Sequence, residues 1–142
     1  MDTLTATSSV QVDAGPSAVW AGITDPELIS KIFFGAKVDT DWQEGSPITF
    51  SGEWDGKPYV DKGEILRVEP ERLFQYTYWS PLSGTDDATQ NYATITFRLA
   101  PRDGGTELTV TQDNVADEAG RARAESNWQM VLDNLKQEVE KG

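Results

Sequence analysis

The chain has no cysteine and no histidine among its 142 residues. Without thiols there is no disulfide, no thiolate nucleophile and no Cys/His zinc site. Without imidazole, neither a Ser-His-Asp nor a Cys-His arrangement can be assembled from this sequence. Basic residues are scarce as well: 12 Lys and Arg stand against 24 Asp and Glu, for a formal net charge of -12 and a pI near 4.2. The cations are scattered among acids rather than clustered, so polyanions and anionic bilayers are repelled, and neither nucleic acid nor membrane is an expected partner. Long apolar runs are also missing. No stretch approaches a membrane span, and the N-terminal MDTLTATSSV has neither the basic segment nor the apolar core of a secretory signal. These absences predict a cytoplasmic chain whose negative charge serves solubility.

What is present is the composition of a packed domain. Hydrophobic residues make up 37% and charged ones 25%, which is enough apolar material for one core. The mean hydropathy of -0.51 assigns the remaining surface to water. A length of 142 residues suits one core better than two, so a single domain over residues 1–142 is expected.

Periodicity divides the chain into elements. Leu4, Ala6, Ser8, Val10 and Val12 alternate with polar residues and predict a first strand. Gly15-Pro16 opens a short helix through Val19, Trp20 and Ile23. Thr24 and Glu27, three residues apart, have the form of a capping box for a second helix carrying Leu28, Ile29, Ile32 and Phe33 and ending at Gly35. Six strands are then expected: Val38 to Trp42, Ile48 to Trp54, Tyr59 to Val68 with a bulge near Gly63, Leu73 to Trp79, one carrying Ile95, Phe97 and Leu99, and one carrying Leu108 and Val110. Asp55-Gly56 marks a hairpin, and Ser80 to Asn91 is the longest loop. From Ala119 to Lys141 the apolar residues Trp128, Val131, Leu132, Leu135 and Val139 form one stripe of a long amphipathic helix.

An antiparallel meander with one apolar face needs a cover, and the terminal helix is the element long enough to provide it. The expected fold is α+β: a curved antiparallel sheet wrapped around the long C-terminal helix, with two short helices after the first strand. A curved sheet cannot touch a straight helix everywhere, so a cavity is expected where they diverge. Phe50, Trp54, Tyr59, Tyr76, Tyr78, Phe97 and Trp128 are the candidates to line it, with Gln75, Arg98 and Gln112 as polar contacts. Gln112 shares parity with Leu108 and Val110 and points inward, where either a ligand or a protein hydrogen bond would satisfy its amide. Large aromatics at these spacings also serve as plain core, and Trp128 suits both roles. The pairs Asp39/Asp41 and Glu53/Asp55 read as solvated carboxylates, and no metal or cofactor motif accompanies them.

Several segments carry a resemblance. Ala14-Gly15-Pro16-Ser17-Ala18-Val19-Trp20, Ile23-Thr24-Asp25-Pro26-Glu27, and the run from Gly63 to Leu73 resemble the activator-of-Hsp90-ATPase-homologue-like family. Ile95 to Leu99, Gly105 to Thr111 and Trp128-x-x-Val131-Leu132-x-x-Leu135-Lys136 extend the likeness over essentially the whole chain. The resemblance implies the helix-grip fold of the START and Bet v 1-like superfamily, whose members often hold apolar molecules between sheet and helix. Where many relatives carry a histidine at the end of the last strand, this chain has Gln112, so no acid/base role transfers to that position. The resemblance to the eukaryotic co-chaperone is limited to its C-terminal domain. The expected function is therefore non-catalytic binding of a hydrophobic or aromatic small molecule. A chaperone-associated or stress-response interaction is the alternative. A cyclase- or dehydrase-type enzyme is a third reading, and it would need Tyr76, Tyr78 or a desolvated carboxylate as acid or base.

Overall fold

The computed structural model describes residues 3–32, 35–54, 56–81 and 85–141, with the side chain of Trp54 outside the described part. Strand β1 (Leu4–Val12) is followed by helices α1 (Pro16–Thr24) and α2 (Pro26–Ile32). Six strands come next: β2 (Lys37–Asp39), β3 (Pro47–Trp54), β4 (Lys57–Glu69), β5 (Leu73–Tyr78), β6 (Ala93–Arg102) and β7 (Gly105–Val115). Helix α3 (Glu118–Lys141) closes the chain. Pro16 takes the first helical position of α1 behind Gly15, where its missing N–H costs nothing. Thr24 does not cap α2. It is still the last residue of α1, and its hydroxyl donates back to Trp20 O at 2.8 Å, so the cap passes to Asp25, whose Oδ1 accepts from Glu27 N at 2.9 Å. Phe33 and Asp55 lie outside the described residues.

The strands form one antiparallel sheet in the order β1-β7-β6-β5-β4-β3-β2. Strand β4 is the longest, and it changes partner along its length. Residues 57–64 pair with β3, and Ile65 to Glu69 pair with β5. The expected bulge near Gly63 falls instead between Ile65 and Arg67, where the register shifts. Gly63 meets a different need, a close approach: a Cβ there would lie 1.6 Å from Thr77 O. Strand β2 is shorter than its alternation suggests. Thr40 Oγ1 donates to Pro47 O at 2.9 Å, and Trp42 turns the chain with φ 64°. The Trp42 ring instead packs on Phe74, 5.8 Å between centroids.

Helix α3 starts at a side-chain cap, Asp117 Oδ1 accepting from Gly120 N at 2.7 Å. Its stripe packs along the sheet, and Val131, Leu132 and Leu135 are buried. Leu135 and Val139 also press on Gly22 of α1, leaving little space for a side chain there. The helix covers the open edge of β1 as well. Glu125 accepts from Thr7 N at 3.0 Å and Glu140 from Asp13 N at 2.8 Å, while Lys136 Nζ donates to Gln11 O at 2.8 Å. Backbone groups that would otherwise offer an edge for pairing are thus occupied. The core is one cluster running from Val12, Val19 and Ile29 through Ile48, Ile65 and Phe97 to Leu132 and Leu135.

Candidate functional site

Sheet and helix touch closely along the C-terminal half of α3 and part along its N-terminal half. The space between is a cavity of about 660 Å³. Its helix wall is Gly120, Arg123, Ala124, Asn127, Trp128 and Val131; its sheet wall is Phe50, Tyr59, Asp61, Tyr76, Tyr78 and Gln112. Strand parity explains the sheet wall. Phe50 and Asp61 are register partners on β3 and β4, and Tyr76 and Tyr78 alternate along β5 on the face that also carries Phe74. Tyr59 pairs with Gly52, where a Cβ would come 2.9 Å from its hydroxyl oxygen, so the glycine gives the ring room.

Six of the expected lining residues therefore meet in one place: Phe50, Tyr59, Tyr76, Tyr78, Gln112 and Trp128. Phe97 does not join them. It is buried behind the wall, and Trp128 stands on it edge-to-face at 5.6 Å between centroids. The Trp54 side chain lies outside the described residues. Gln75 and Arg98 face away from the cavity, Gln75 donating to Thr96 Oγ1 at 3.0 Å and Arg98 standing exposed. Gln112 points inward as expected, and the protein itself supplies a partner: Trp128 Nε1 donates to its Oε1 at 2.8 Å. That bond fixes the indole at the boundary between packed core and open cavity.

The residue missed by sequence reading is Asp61. It is only 6% exposed, its Oδ2 accepts from the Tyr78 hydroxyl, and its Oδ1 has no hydrogen-bond partner. Burial, followed by the negative charge of Asp61, pushes the Tyr76 and Tyr78 hydroxyls far above the ordinary tyrosine range. The same two causes raise Tyr59. These phenols stay protonated at neutral pH, and the Tyr78 hydroxyl donates to Asp61. The signal that could have found Asp61 was parity. Tyr59, Asp61 and Gly63 share the phase of Ile65, which is fully buried, up to the shift beyond it.

A second depression, of about 620 Å³, lies among Lys62, Glu64, Thr77, Asp87, Tyr92 and Thr94. Its residues are polar, and Lys62 is paired with Asp87 there. No group of His, Cys, Asp or Glu suited to a metal ion occurs among the described residues. No described helix is long and apolar enough to cross a membrane.

With a curved seven-stranded sheet, a long terminal helix and a cavity between them, the relationship to known proteins can be placed. The family model for activator of Hsp90 ATPase homolog 1-like proteins matches residues 13–140. The chain belongs to that family. Its fold is the helix grip of the START and Bet v 1-like proteins. The solution structure of ChR145 from Cytophaga hutchinsonii is similar at 38% identity, over 99% of this chain and 97% of that one, with a TM-score of 0.86. CalU16 from Micromonospora echinospora shares the fold at 22% identity, over 98% of this chain and 87% of that one, with a TM-score of 0.73. Ara h 8.0201 does so at 13% identity over 99% of both chains, with a TM-score of 0.76. No curated protein sequence matches this chain.

Proposed function

We propose that this member of the family binds an apolar or aromatic small molecule non-covalently in the cavity between the sheet and α3. The observation that carries the reading is the cavity itself, about 660 Å³ and walled mainly by aromatic and aliphatic side chains. That volume lies within the range usual for small-molecule sites. Affinity would come from apolar burial, at about 25 cal/mol per Å² removed from water. Polar groups would set orientation: Asp61 and Gln112 on the sheet wall, and Arg123 and Asn127 on the helix. The chaperone reading rests on the family description, whose motifs in this chain are core and turn residues rather than a docking face.

The test is a panel of hydrophobic and aromatic compounds followed by tryptophan emission and thermal unfolding. A ligand of this cavity should quench Trp128. At a concentration of about 100 Kd it adds roughly 2.7 kcal/mol of stability and raises Tm by several degrees. Trp128→Phe should remove most of the quenching. A panel that leaves both emission and Tm unmoved would end the proposal.

A further inference from the structure

The cavity is apolar apart from a few groups, and one of them is out of keeping with a purely hydrophobic guest. Asp61 is a carboxylate, 6% exposed, on the cavity wall, with one oxygen taken by the Tyr78 hydroxyl and the other without any hydrogen-bond partner. Among the described residues no lysine or arginine forms an ion pair with it; their ion pairs are with other acids. A buried acceptor left unsatisfied is costly, and a buried anion without a counter-charge more so. An aspartate carboxyl turns about its last torsion with near-twofold symmetry, so either oxygen can serve Tyr78 and leave the other for a guest. Around it stand the rings of Phe50, Tyr59, Tyr76 and Tyr78, lining the same cavity. Aromatic faces attract cations, and a carboxylate inside an aromatic enclosure suits an ammonium group better than a neutral hydroxyl.

We propose that the ligand of this cavity is an apolar or aromatic molecule bearing a protonated amine, and that Asp61 receives the amine while the surrounding rings enclose it. This rests on the ligand-binding reading above and adds the chemical class of the guest. A neutral hydrocarbon would fill the volume and leave Asp61 unpaired. A carboxylate guest would set two anions together inside the enclosure, and among the described residues the one cation on the cavity wall is Arg123, a solvent-exposed side chain.

The experiment uses three probes on one skeleton: 2-(1-naphthyl)ethylamine, 2-(1-naphthyl)ethanol and 1-naphthylacetate. Binding is measured by calorimetry to the full chain and to Asp61→Asn, in at least 0.15 M salt so that the net charge of the protein is screened. The wild type should bind the amine about tenfold or more tightly than the alcohol, and the carboxylate most weakly of the three. In Asp61→Asn the amine and the alcohol should become equal within about threefold. The wild-type ratio is informative even if the variant folds poorly, and Tyr78→Phe provides a second variant, which should keep the preference for the amine because Asp61 remains. Equal binding of amine and alcohol by the wild type overturns this inference and leaves the cavity reading standing. An amine preference that survives in a folded Asp61→Asn overturns it too. Failure of all three probes overturns both.

Discussion

Among the described glycines Gly63 leaves the least room, since a Cβ built on it would sit 1.6 Å from Thr77 O, a backbone atom that cannot swing aside. Gly63→Ala must therefore push β4 from β5 beside Asp61 and Ile65, at a cost of at least ~3 kcal/mol. Gly15→Ala, where nothing lies within 4 Å, should cost less than about 1 kcal/mol. The midpoint of urea unfolding checks both, and equal midpoints would show that the strands part freely at this point. The sequence marks Gly63 as special but not why, because a break in alternation looks the same whether it comes from a bulge or from a close approach. Asp61 was hidden for a related reason. Charge argues for solvent, parity argues for the core, and only the neighbouring tyrosines and the Tyr78 hydroxyl let parity prevail. The parity that correctly turns Phe97 inward also predicts it on the wall, where the structure does not have it. Parity gives a side chain's face but not its depth, and Trp128 lies over it.

At the scale of elements, α3 has a second task beyond covering the apolar face. Its polar flank satisfies the free edge of β1 through Glu125, Lys136 and Glu140. Ser8 adds a bond from its hydroxyl to Glu125 O at 2.9 Å, tying strand and helix at the level of the cavity. Glu125→Ala removes the acceptor of Thr7 N, and stability should fall by about 1 kcal/mol. Amide exchange at Thr7 should quicken while Ile95 and Leu108, in the middle of the sheet, keep their protection. Uniform quickening across all three amides would mean that the edge bond is not local. Element types and most boundaries were readable, because period-two runs, proline at the first helical position and a clean 3.6-residue stripe are strong local signals. The Thr24 cap and the extent of β2 were not. Each was decided by a hydroxyl choosing between two nearby backbone partners: Thr24 turned back to Trp20 O, and Thr40 bound Pro47 O and ended the strand.

For the whole molecule, the order of elements carried the architecture, and the need to cover a curved sheet with one helix implied a cavity. Which part of the helix became core and which became wall was not legible, since a stripe of apolar residues specifies a face and says nothing of how far the sheet stands from it. In the structure the division falls at Trp128. Toward the C-terminus Leu132 and Leu135 are buried off the cavity, with Val131 buried at its margin; toward the N-terminus Gly120, Arg123 and Ala124 border open space. Stability and binding should therefore be separable along one helix. Leu132→Ala opens a void in the packed half and should cost about 2–5 kcal/mol in chemical unfolding. Ligand affinity, measured where the variant is folded, should stay within about threefold of the wild type, because Leu132 itself does not line the cavity. Ala124→Trp should do the reverse. Its indole projects from the wall into the cavity, so Tm should hold or rise while affinity for the same ligand falls at least about tenfold as the volume is taken. If Ala124→Trp binds as the wild type does, the guest does not occupy the space between α3 and Tyr76. If Leu132→Ala loses the ligand as completely as Ala124→Trp does, the two halves of α3 form one continuous core, and Trp128 marks no boundary.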